Sequence, residues 1–385
     1  MAKQFGRKRI VILGGGCGGI VAATHLGRNL GADHDVILID RRPVHVFMPA
    51  FLFLMVGERE PADITGPLKN LEKRNVRFIQ DEIVGIDPAR QEVTLGSSKV
   101  SYDYLIVALG LQTVPELIPG FAEGAQHAWE LEATVKLRQT IESFKGGRIV
   151  VGIPLGPYRC PPAPYEAQWI LDGYFRRRGM RDRVTIEYFT REPEPTGEAH
   201  ESVVWLDAES KKRKIRIHYD FVVHSIDPEA KVVNGLYAYK IPYDLLLMVP
   251  PHRPAQVLRD CGLADTELGI RVDYDTLETK WENVYAIGDC ADMPTSKSGG
   301  VAHQEADTLA HNLIAKIRKQ GESLPVELHT ICLLAFEPGK AAANRIIYPQ
   351  GWPPYGPSYP RIWGPSRMIY WAKVGFEKWW LWRYF

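Results

Sequence analysis

The chain has 385 residues, of which 45% are hydrophobic and 24% are charged, and its formal net charge is +1. This length and balance are typical of a globular protein with two domains of ordinary size, and they exclude a disordered chain. A net charge near zero gives no reason to expect nucleic acid as a partner. The five cysteines include no CxxC pair and are irregularly spaced, so we expect neither a metal site nor a secreted disulfide framework.

The N-terminal residues lead directly into an apolar strand, without the separate apolar region and cleavage site of a signal peptide. No window of the sequence approaches the roughly 20 apolar residues of a membrane-spanning helix. We therefore expect neither a signal peptide nor a spanning segment.

A glycine-rich loop follows the first predicted strand, at residues 9–13. Gly14, Gly16 and Gly19 have the GxGxxG spacing, and a helix is predicted at 20–30 directly after them. The first glycine permits a tight turn, the second lets the backbone approach a pyrophosphate, and the third lets the helix pack on the strand. This order predicts a dinucleotide-binding fold.

Three later strands end in residues suited to a flavin dinucleotide. The strand at 36–39 ends in Asp40, which is placed to bind a ribose diol. Another strand ends in Gly110, and a third ends in a Gly-Asp pair at Asp289. The last two segments resemble those of two-dinucleotide flavoproteins, with Leu109 in place of the usual threonine. This resemblance implies that the cofactor is FAD, that Gly110 lies beside it and that Asp289 binds its ribityl and phosphate region.

The order of these segments predicts an α/β fold with two Rossmann-like, doubly wound domains. The FAD-binding domain is expected to use residues 1–110 and 275–325. Residues 111–274 are expected to form the second domain, and residues 326–385 a C-terminal region for quinone and membrane attachment. Strands of the second domain are predicted near 148–152, 184–189, 214–218 and 245–249.

The strand at 148–152 ends where a second nucleotide loop is expected, but no glycine loop follows it. The loop instead carries Cys160, stiffened by four prolines, and Glu166 follows closely. Because proline removes backbone freedom, the thiol can be held in one place at small entropic cost. Glu166 is placed to take up or release a proton near that thiol. The pattern indicates one dinucleotide instead of two, and an oxidant of sulfur compounds instead of NADH.

Four segments of the chain closely resemble the sulfide:quinone oxidoreductases, with the flavin subunit of flavocytochrome c sulfide dehydrogenase as a near relative. They are residues 158–166, the Gly-Asp turn at 288–289, residues 295–299 and Cys332. The likeness covers essentially the whole chain, and the two-cysteine pattern is its most specific part.

The resemblance implies a mechanism for two cysteines. In that family the equivalents of Cys160 and Cys332 form a redox-active pair beside the flavin. Hydrosulfide attacks the disulfide or a bridged form, which leaves a cysteine persulfide and a free thiolate, and an electron pair passes to the flavin. This chemistry needs an accessible thiol of low pKa and a nearby leaving sulfur.

The same resemblance implies roles for three other residues. His200 corresponds to a histidine near the sulfide side, where an imidazole can hold a proton or stabilise anionic sulfur. Lys297 lies just after the Gly-Asp turn, where its charge can stabilise a reduced, anionic flavin. Phe336 matches an aromatic residue that flanks the quinone, and an apolar loop at 47–53 is expected to form the other wall. For each of them an ordinary loop, surface or core position is the alternative.

The flavin is expected to be held noncovalently. Many members of the family carry a third cysteine, which tethers the flavin in some of them, but residues 126–130 contain none. His45 falls in the loop where the flavocytochrome relatives attach their flavin, so a covalent bond through it is left open.

The last residues, 360–385, combine aromatic and basic side chains. They hold five of the ten tryptophans together with Arg367, Lys373, Lys378 and Arg383. Rings beside basic groups suit the boundary between lipid headgroups and acyl chains, and the segment is too polar to span. We therefore expect monotopic attachment to the cell membrane, on either face, with packing on the protein's own core or at a dimer interface as the alternative.

The sequence thus predicts a membrane-associated FAD enzyme that oxidises sulfide to sulfur or polysulfide and reduces quinone. The first alternative is a flavocytochrome c-type sulfide dehydrogenase flavoprotein that passes electrons to a cytochrome. A type II NADH:quinone dehydrogenase is another, but it needs a glycine loop after Val151 that the chain does not supply. A flavin-binding redox sensor or scaffold is the alternative outside the enzymes. The oligomeric state, the quinone type and the length of the sulfur product stay open.

Overall fold

The computed structural model describes residues 6–154, 156–195, 201–337, 339–348 and 359–385. The N-terminal elements are β1 (Arg9–Leu13), α1 (Cys17–Leu30), β2 (Asp35–Asp40), β3 (Val44–Val46), α2 (Phe51–Leu54), β4 (Thr65–Pro67), β5 (Arg77–Gln80), β6 (Ile83–Asp87), β7 (Glu92–Leu95), β8 (Lys99–Ser101), β9 (Tyr104–Val107) and β10 (Leu111–Thr113).

The middle and C-terminal parts of the chain supply the remaining elements. The middle part comprises α3 (Phe121–Gly124), α4 (Leu131–Ser143), β11 (Gly147–Gly152), α5 (Ala163–Arg177), β12 (Val184–Phe189), α6 (Glu201–Lys212), β13 (Arg216–His218), β14 (Val223–Asp227), β15 (Val232–Gly235), β16 (Lys240–Pro242), β17 (Leu245–Met248), β18 (His252–Pro254) and α7 (Gln256–Asp260). The last part comprises β19 (Val284–Ala286), α8 (Gly299–Arg318), β20 (Leu328–Glu337), β21 (Lys340–Tyr348), β22 (Tyr359–Ser366) and α9 (Arg367–Tyr384).

The first parallel sheet has the strand order β19-β9-β1-β2-β5. Its central strands are continuous runs of valine, isoleucine and leucine because both faces of a parallel sheet are covered. The chain leaves this sheet after β9 and returns to its edge with β19, past the second sheet. The first parallel sheet is therefore built from two separate stretches of the chain.

The second parallel sheet has the strand order β13-β12-β11-β17. The strand predicted at 214–218 begins two residues later, because Lys214 adopts a left-handed φ of 58°. A Cβ on Gly152, at the end of β11, would lie 2.0 Å from the ring of Phe189. Helix α5 begins only at Ala163, so a long proline-rich loop replaces the short glycine turn of a second nucleotide site.

The third sheet, β20-β21-β22, is antiparallel and packs against α5, α8 and α9. The main hydrophobic core runs without a break from the first sheet to α5, β20 and α9. The α/β fold with two Rossmann-like sheets and a C-terminal helical segment is therefore confirmed. Among the described helices, none combines the length and the apolar character that a membrane crossing needs.

Candidate functional site

A cavity of about 280 Å³, which we call the dinucleotide cavity, opens at the carboxyl ends of the first parallel sheet. Its wall includes the glycine loop, Asp40, Gly110 and Asp289, each of which follows a different strand. Ligands of open α/β sheets bind in this position, outside the carboxyl ends of the strands. The structure thus brings together the residues for which the sequence predicted cofactor binding, except Gly19 and Lys297, which do not line this cavity.

The glycine loop is shaped by close contacts on one side and open space on the other. A Cβ on Gly14, whose φ is 103°, would lie 2.4 Å from the carbonyl oxygen of Ala108, and one on Gly19 would lie 1.8 Å from that of Gly14. A Cβ on Gly16 would have nothing within 4 Å. The amide groups at the start of α1 follow directly, so this loop fits a pyrophosphate.

Asp40 both supports the loop and lines the cavity. Its Oδ2 atom accepts a hydrogen bond from the N–H of Gly15 at 2.6 Å, and its Oδ1 atom accepts one from the N–H of Arg42 at 2.8 Å. Each carboxylate oxygen can accept a second hydrogen bond, so a ribose hydroxyl can still bind here.

A second carboxyl group, Glu305, supports the Gly-Asp turn. Its Oε2 atom accepts a hydrogen bond from the N–H of Gly288 at 2.5 Å, and burial raises its pKa to about 8. Burial also raises the pKa of Asp289, whereas the positive charges of Arg159 and Lys297 act to lower it. Glu305 was not predicted from the sequence, although a glutamate among the apolar, buried positions of α8 indicates a role inside the protein. An open glycine loop, a helix N-terminus and these carboxyl groups fit FAD.

A second cavity, of about 270 Å³, adjoins the first, and we call it the cysteine cavity. Cys160 and Cys332 both line it, and both are half-buried free thiols. Met48, Arg159 and Asp289 are among the residues that line both cavities. The structure therefore brings the two predicted cysteines to one wall, beside the dinucleotide cavity.

Cys160 is held in a strained conformation by its neighbours. Its φ of 57° lies in the left-handed region, which costs a non-glycine residue roughly 1–3 kcal/mol. Its N–H donates to the carbonyl oxygen of Lys297 at 2.8 Å, and its carbonyl accepts from the N–H of Ala163 at 2.9 Å. The indole N–H of Trp129 donates to the carbonyl of Arg159 at 3.1 Å. These contacts hold the backbone that carries the thiol.

The surroundings of the two thiols favour their protonated form. Burial raises the pKa of Cys160, and the charges of Cys332 and Glu166 raise it further, while Lys373 lowers it. Burial also raises the pKa of Cys332, against a lowering by the Thr330 hydroxyl. The chemistry implied by the resemblance needs a thiol of low pKa, and burial acts against a low pKa in the dithiol form that the structure describes.

Glu166 lies in the cavity wall as one partner of a buried ion pair. The ammonium group of Lys373 donates to Glu166 and, at 2.7 Å, to the carbonyl oxygen of Leu333. The Oε1 atom of Glu166 also accepts from the N–H of Ala335 at 3.0 Å. The sequence analysis assigned Lys373 to the lipid boundary, and that was wrong, because the side chain points inward from α9.

Comparison with known proteins gives two family matches. Residues 8–152 match the family described as "Pyridine nucleotide-disulphide oxidoreductase". Residues 134–250 match the one described as "Sulfide dehydrogenase [flavocytochrome c] flavoprotein chain, central".

Similar proteins span almost the whole chain. The mitochondrial sulfide:quinone oxidoreductase of Mus musculus is 27% identical over 354 residues, which cover 88% of this chain and 76% of that protein. The sulfide-quinone reductase of Aquifex aeolicus is 29% identical over 415 residues, covering 98% and 91%. The X-ray structure of the sulfide:quinone oxidoreductase from Aquifex aeolicus has a TM-score of 0.86 at 27% identity, again covering 98% and 91%. The chain is homologous to the sulfide:quinone oxidoreductases. The resemblance read from the sequence is thereby confirmed.

In this sulfide:quinone oxidoreductase homologue, both ring nitrogens of His45 have partners. Nδ1 lies 2.9 Å from the carbonyl oxygen of Gly15, and Nε2 accepts from the indole N–H of Trp380 at 3.3 Å. Burial lowers the pKa of His45 to about 4, so the ring is neutral. His45 thus joins the glycine loop to α9.

Lys297 lines the cysteine cavity but not the dinucleotide cavity. Its ammonium group donates to the carbonyl oxygen of Ala291, while its own carbonyl accepts from Cys160. Lys297 therefore shapes the loop around Cys160, whereas Arg159 is the cation that lines both cavities.

The structure contradicts the assignment of Phe336 to the quinone wall. Its side chain is fully buried, stacked on Trp169 with ring centroids 4.5 Å apart and with Trp205 edge-on at 5.5 Å. A β-bulge between Ala335 and Glu337 interrupts the strand alternation that would otherwise guide such an assignment. Phe336 is a core residue and is absent from the cavity wall.

Other aromatic residues line the cysteine cavity of this homologue. Phe47, Phe51, Phe376 and Trp380 all contribute to its wall, the first two from the apolar loop predicted for that purpose. Phe376 and Trp380 come from α9, and their rings lie 6.1 Å and 6.0 Å from Phe47. His200, predicted near the sulfide side, lies outside the described residues.

Helix α9 has one face on the protein and one face in solvent. Tyr370, Lys373, Glu377, Trp380 and Tyr384 are buried. The opposite face is apolar and exposed, and it consists of Met368, Trp371, Ala372, Gly375, Phe376, Trp379 and Trp382. The helix thus packs on the protein's own core, which was the alternative to membrane attachment considered from the sequence. It also presents a continuous apolar surface, which we call the outer face of α9.

Proposed function

We propose that this chain catalyses the FAD-dependent oxidation of sulfide by a membrane quinone. The observation that carries the proposal is that Cys160 and Cys332 share the wall of a cavity adjoining the dinucleotide cavity. The mouse and Aquifex aeolicus relatives are named for sulfide and quinone. Their names and this geometry support the same reaction.

The two cysteines would act as a redox pair that sulfide reduces. In the oxidised enzyme, hydrosulfide attacks one sulfur of a Cys160–Cys332 disulfide, and the S–S bond breaks. The products are a persulfide on one cysteine and a thiolate on the other, so the sulfide sulfur is oxidised by two electrons. Lys373, whose charge lowers the pKa of Cys160, would stabilise the sulfur anion that forms. Overall, hydrosulfide, a proton and quinone give zero-valent sulfur and quinol.

Noncovalent FAD is the cofactor we propose for the dinucleotide cavity. Gly16 and the start of α1 would hold the pyrophosphate, Asp40 the ribose, and Asp289 the ribityl and phosphate region. When bound, the flavin accepts two electrons from the sulfur chemistry and passes them on. The occupied nitrogens of His45 and the absence of cysteine from residues 126–130 favour noncovalent binding.

The quinone would enter the cysteine cavity from the side of α9. Phe47 and Phe376 supply apolar rings to the cavity wall, while Phe376 also contributes to the outer face of α9. A helix with such a face, flanked by basic residues, suits the plane of the lipid headgroups. We therefore propose peripheral, monotopic attachment to the cell membrane through the outer face of α9.

Electron transfer to a cytochrome is the second candidate. The match of residues 134–250 to the central region of a flavocytochrome c sulfide dehydrogenase flavoprotein favours it. The outer face of α9 favours quinone, because a lipid-soluble acceptor is reached at a membrane surface. NADH is disfavoured as the reductant, because Phe189 fills the space at Gly152 where a second glycine loop would begin.

Anaerobic titration of the purified protein, with flavin absorbance as the readout, tests the proposal. Sulfide should bleach the flavin and NADH should not, because Cys160 and Cys332 share one cavity and the sequence after β11 contains no second glycine loop. A soluble quinone analogue should then restore the colour faster than oxidised cytochrome c does. Bleaching by NADH and not by sulfide would overturn the assignment, and faster recovery with cytochrome c would favour the second candidate.

A further inference from the structure

Arg159 is a cation without an anionic partner between the two cavities. It directly precedes Cys160, and among the described residues it is the positively charged side chain that lines both the dinucleotide cavity and the cysteine cavity, since His45, which also lines both, is neutral. None of the described carboxylates forms an ion pair with it, and the carboxyl group whose charge acts on it most strongly is that of Asp289. Burial lowers its pKa, so the charge is held at some cost.

The hydrogen-bond partners of Arg159 are neutral groups. Nε donates to His252 Nε2 at 3.1 Å, and the two terminal nitrogens donate to the carbonyl oxygen of Trp129 at 2.9 Å and to the Met48 sulfur at 3.2 Å. A guanidinium group has five N–H donors, so these contacts use three and leave two for the cavities. The positive charge is therefore fixed in place but not neutralised.

The imidazole ring of His252 is held in the tautomer that accepts a hydrogen bond from Arg159. Its Nδ1 atom lies 2.7 Å from the carbonyl oxygen of Pro250, so that nitrogen carries the proton and Nε2 is the acceptor. Burial and the charge of Arg159 lower the pKa of His252 to about 3. The imidazole is therefore neutral at any ordinary pH, and its strand, β18, is anchored to β10.

Two other cations that line the cysteine cavity, the buried Lys373 and the half-buried Lys297, have different roles. Lys373 is paired with Glu166 and acts on the thiols, lowering the pKa of Cys160. Lys297 is bound to a backbone carbonyl and does not line the dinucleotide cavity. Arg159 lines the dinucleotide cavity as well as the cysteine cavity, so its charge acts on a bound dinucleotide in addition to its interaction with the Cys160 thiol.

We propose that Arg159 stabilises the negative charge that two-electron reduction places on the flavin ring, and that neutral His252 positions its guanidinium group. The inference rests on the proposed FAD cofactor. A fixed positive charge in a site of low dielectric constant makes reduction of a nearby ring more favourable. Arg159 thereby takes the role that the sequence resemblance implied for Lys297.

The midpoint potential of the bound flavin, measured anaerobically against a reference dye, tests this inference. Arg159→Met should shift the ratio of oxidised to reduced flavin at least tenfold towards the oxidised form, which is about 30 mV for a two-electron couple. Arg159→Lys keeps the positive charge but loses the planar guanidinium group, so it should shift the ratio of oxidised to reduced flavin less than Arg159→Met does. His252→Leu should also shift this ratio towards the oxidised form. The double variant Arg159→Met/His252→Leu should have the same ratio as Arg159→Met alone, because His252 acts through Arg159.

Lys297→Met is the comparison variant, and we expect it to change the ratio less than Arg159→Met does. An unchanged potential in Arg159→Met, or a larger shift in Lys297→Met, would overturn the inference. If Arg159→Met loses its flavin, Arg159→Lys and His252→Leu decide, because both must shift the ratio towards the oxidised form. A wild-type protein without flavin would instead contradict the proposed function, so the two failures are distinguishable.

Discussion

Lys373 on the last helix forms a buried ion pair with Glu166, six residues after Cys160, and donates a second hydrogen bond to the backbone next to Cys332. The side chains are 11% and 5% exposed. One ammonium group therefore connects the helix that bears the outer apolar face with both segments that carry the proposed redox cysteines.

Lys373→Met should destabilise the protein by about 3–5 kcal/mol, because it leaves the Glu166 carboxylate buried without its cation. The free energy of unfolding from urea titration at pH 7, followed by tryptophan fluorescence, measures the loss. Lys378→Met, on the same helix but 55% exposed, is the control and should cost at most about 1 kcal/mol. The double variant Glu166→Leu/Lys373→Met should recover most of the stability, and equal stability of wild type and Lys373→Met would refute the buried pair.

Phe376→Ala should raise the KM for quinone about tenfold, because the ring belongs to the cavity wall beside Phe47. Phe336→Ala should instead lower the free energy of unfolding by about 3–5 kcal/mol, since it empties a stacked core position. Steady-state kinetics and denaturation of both variants separate the two effects. A specific rise in quinone KM for Phe336→Ala, with stability unchanged, would restore the assignment made from the sequence.

Glu305 should make stability depend on pH. Its pKa is raised from the ordinary value of 4.5 to about 8, so folding favours the neutral form. The resulting stabilisation is fully present below pH 4.5 and is lost as the pH rises through about 8. Melting temperatures of wild type and Glu305→Gln should diverge between pH 5 and pH 9 in favour of the variant, with the exposed Glu282→Gln as control. A difference independent of pH would show that the carboxyl group is already charged in this range.

The double variant Trp371→Ser/Trp382→Ser should weaken binding to phospholipid vesicles at least tenfold. The two side chains are 65% and 76% exposed on the outer face of α9, and burying an aromatic ring contributes about 1.5–3 kcal/mol. Co-sedimentation with vesicles measures the effect. Trp281→Ser, which alters an exposed tryptophan outside α9, should bind like wild type. If the double variant sediments with vesicles as well as wild type does, the outer face of α9 does not bind lipid.

Local patterns in the sequence predicted much of the fold. Gly14, Gly16 and Gly19 were readable because their spacing reflects contacts within one strand-loop-helix unit, and those contacts are present. The apolar runs of the parallel strands were readable for the same reason, since both faces are buried. The pairing of Cys160 with Cys332 came from the family resemblance, because no local pattern connects two segments so far apart.

The errors have equally physical causes. Lys373 stands among exposed aromatic residues in the sequence, and only the packing of α9 decides which side of the helix meets the core. Phe336 was assigned by its resemblance to an aromatic residue of the family, but its side chain, beside a β-bulge, lies in the core. No pattern in the sequence predicts the contact between Arg159 and His252, because this contact depends on how β18 lies against the loop before Cys160.

The central claim, that Cys160 and Cys332 together accept electrons from sulfide, is tested most directly by reducing the flavin with sulfide in single-cysteine variants. Cys160→Ser and Cys332→Ser should each retain FAD but fail to bleach on addition of sulfide, whereas Cys261→Ser, which changes a half-buried cysteine outside both cavities, should bleach like wild type. Bleaching at the wild-type rate in both Cys160→Ser and Cys332→Ser would contradict the account.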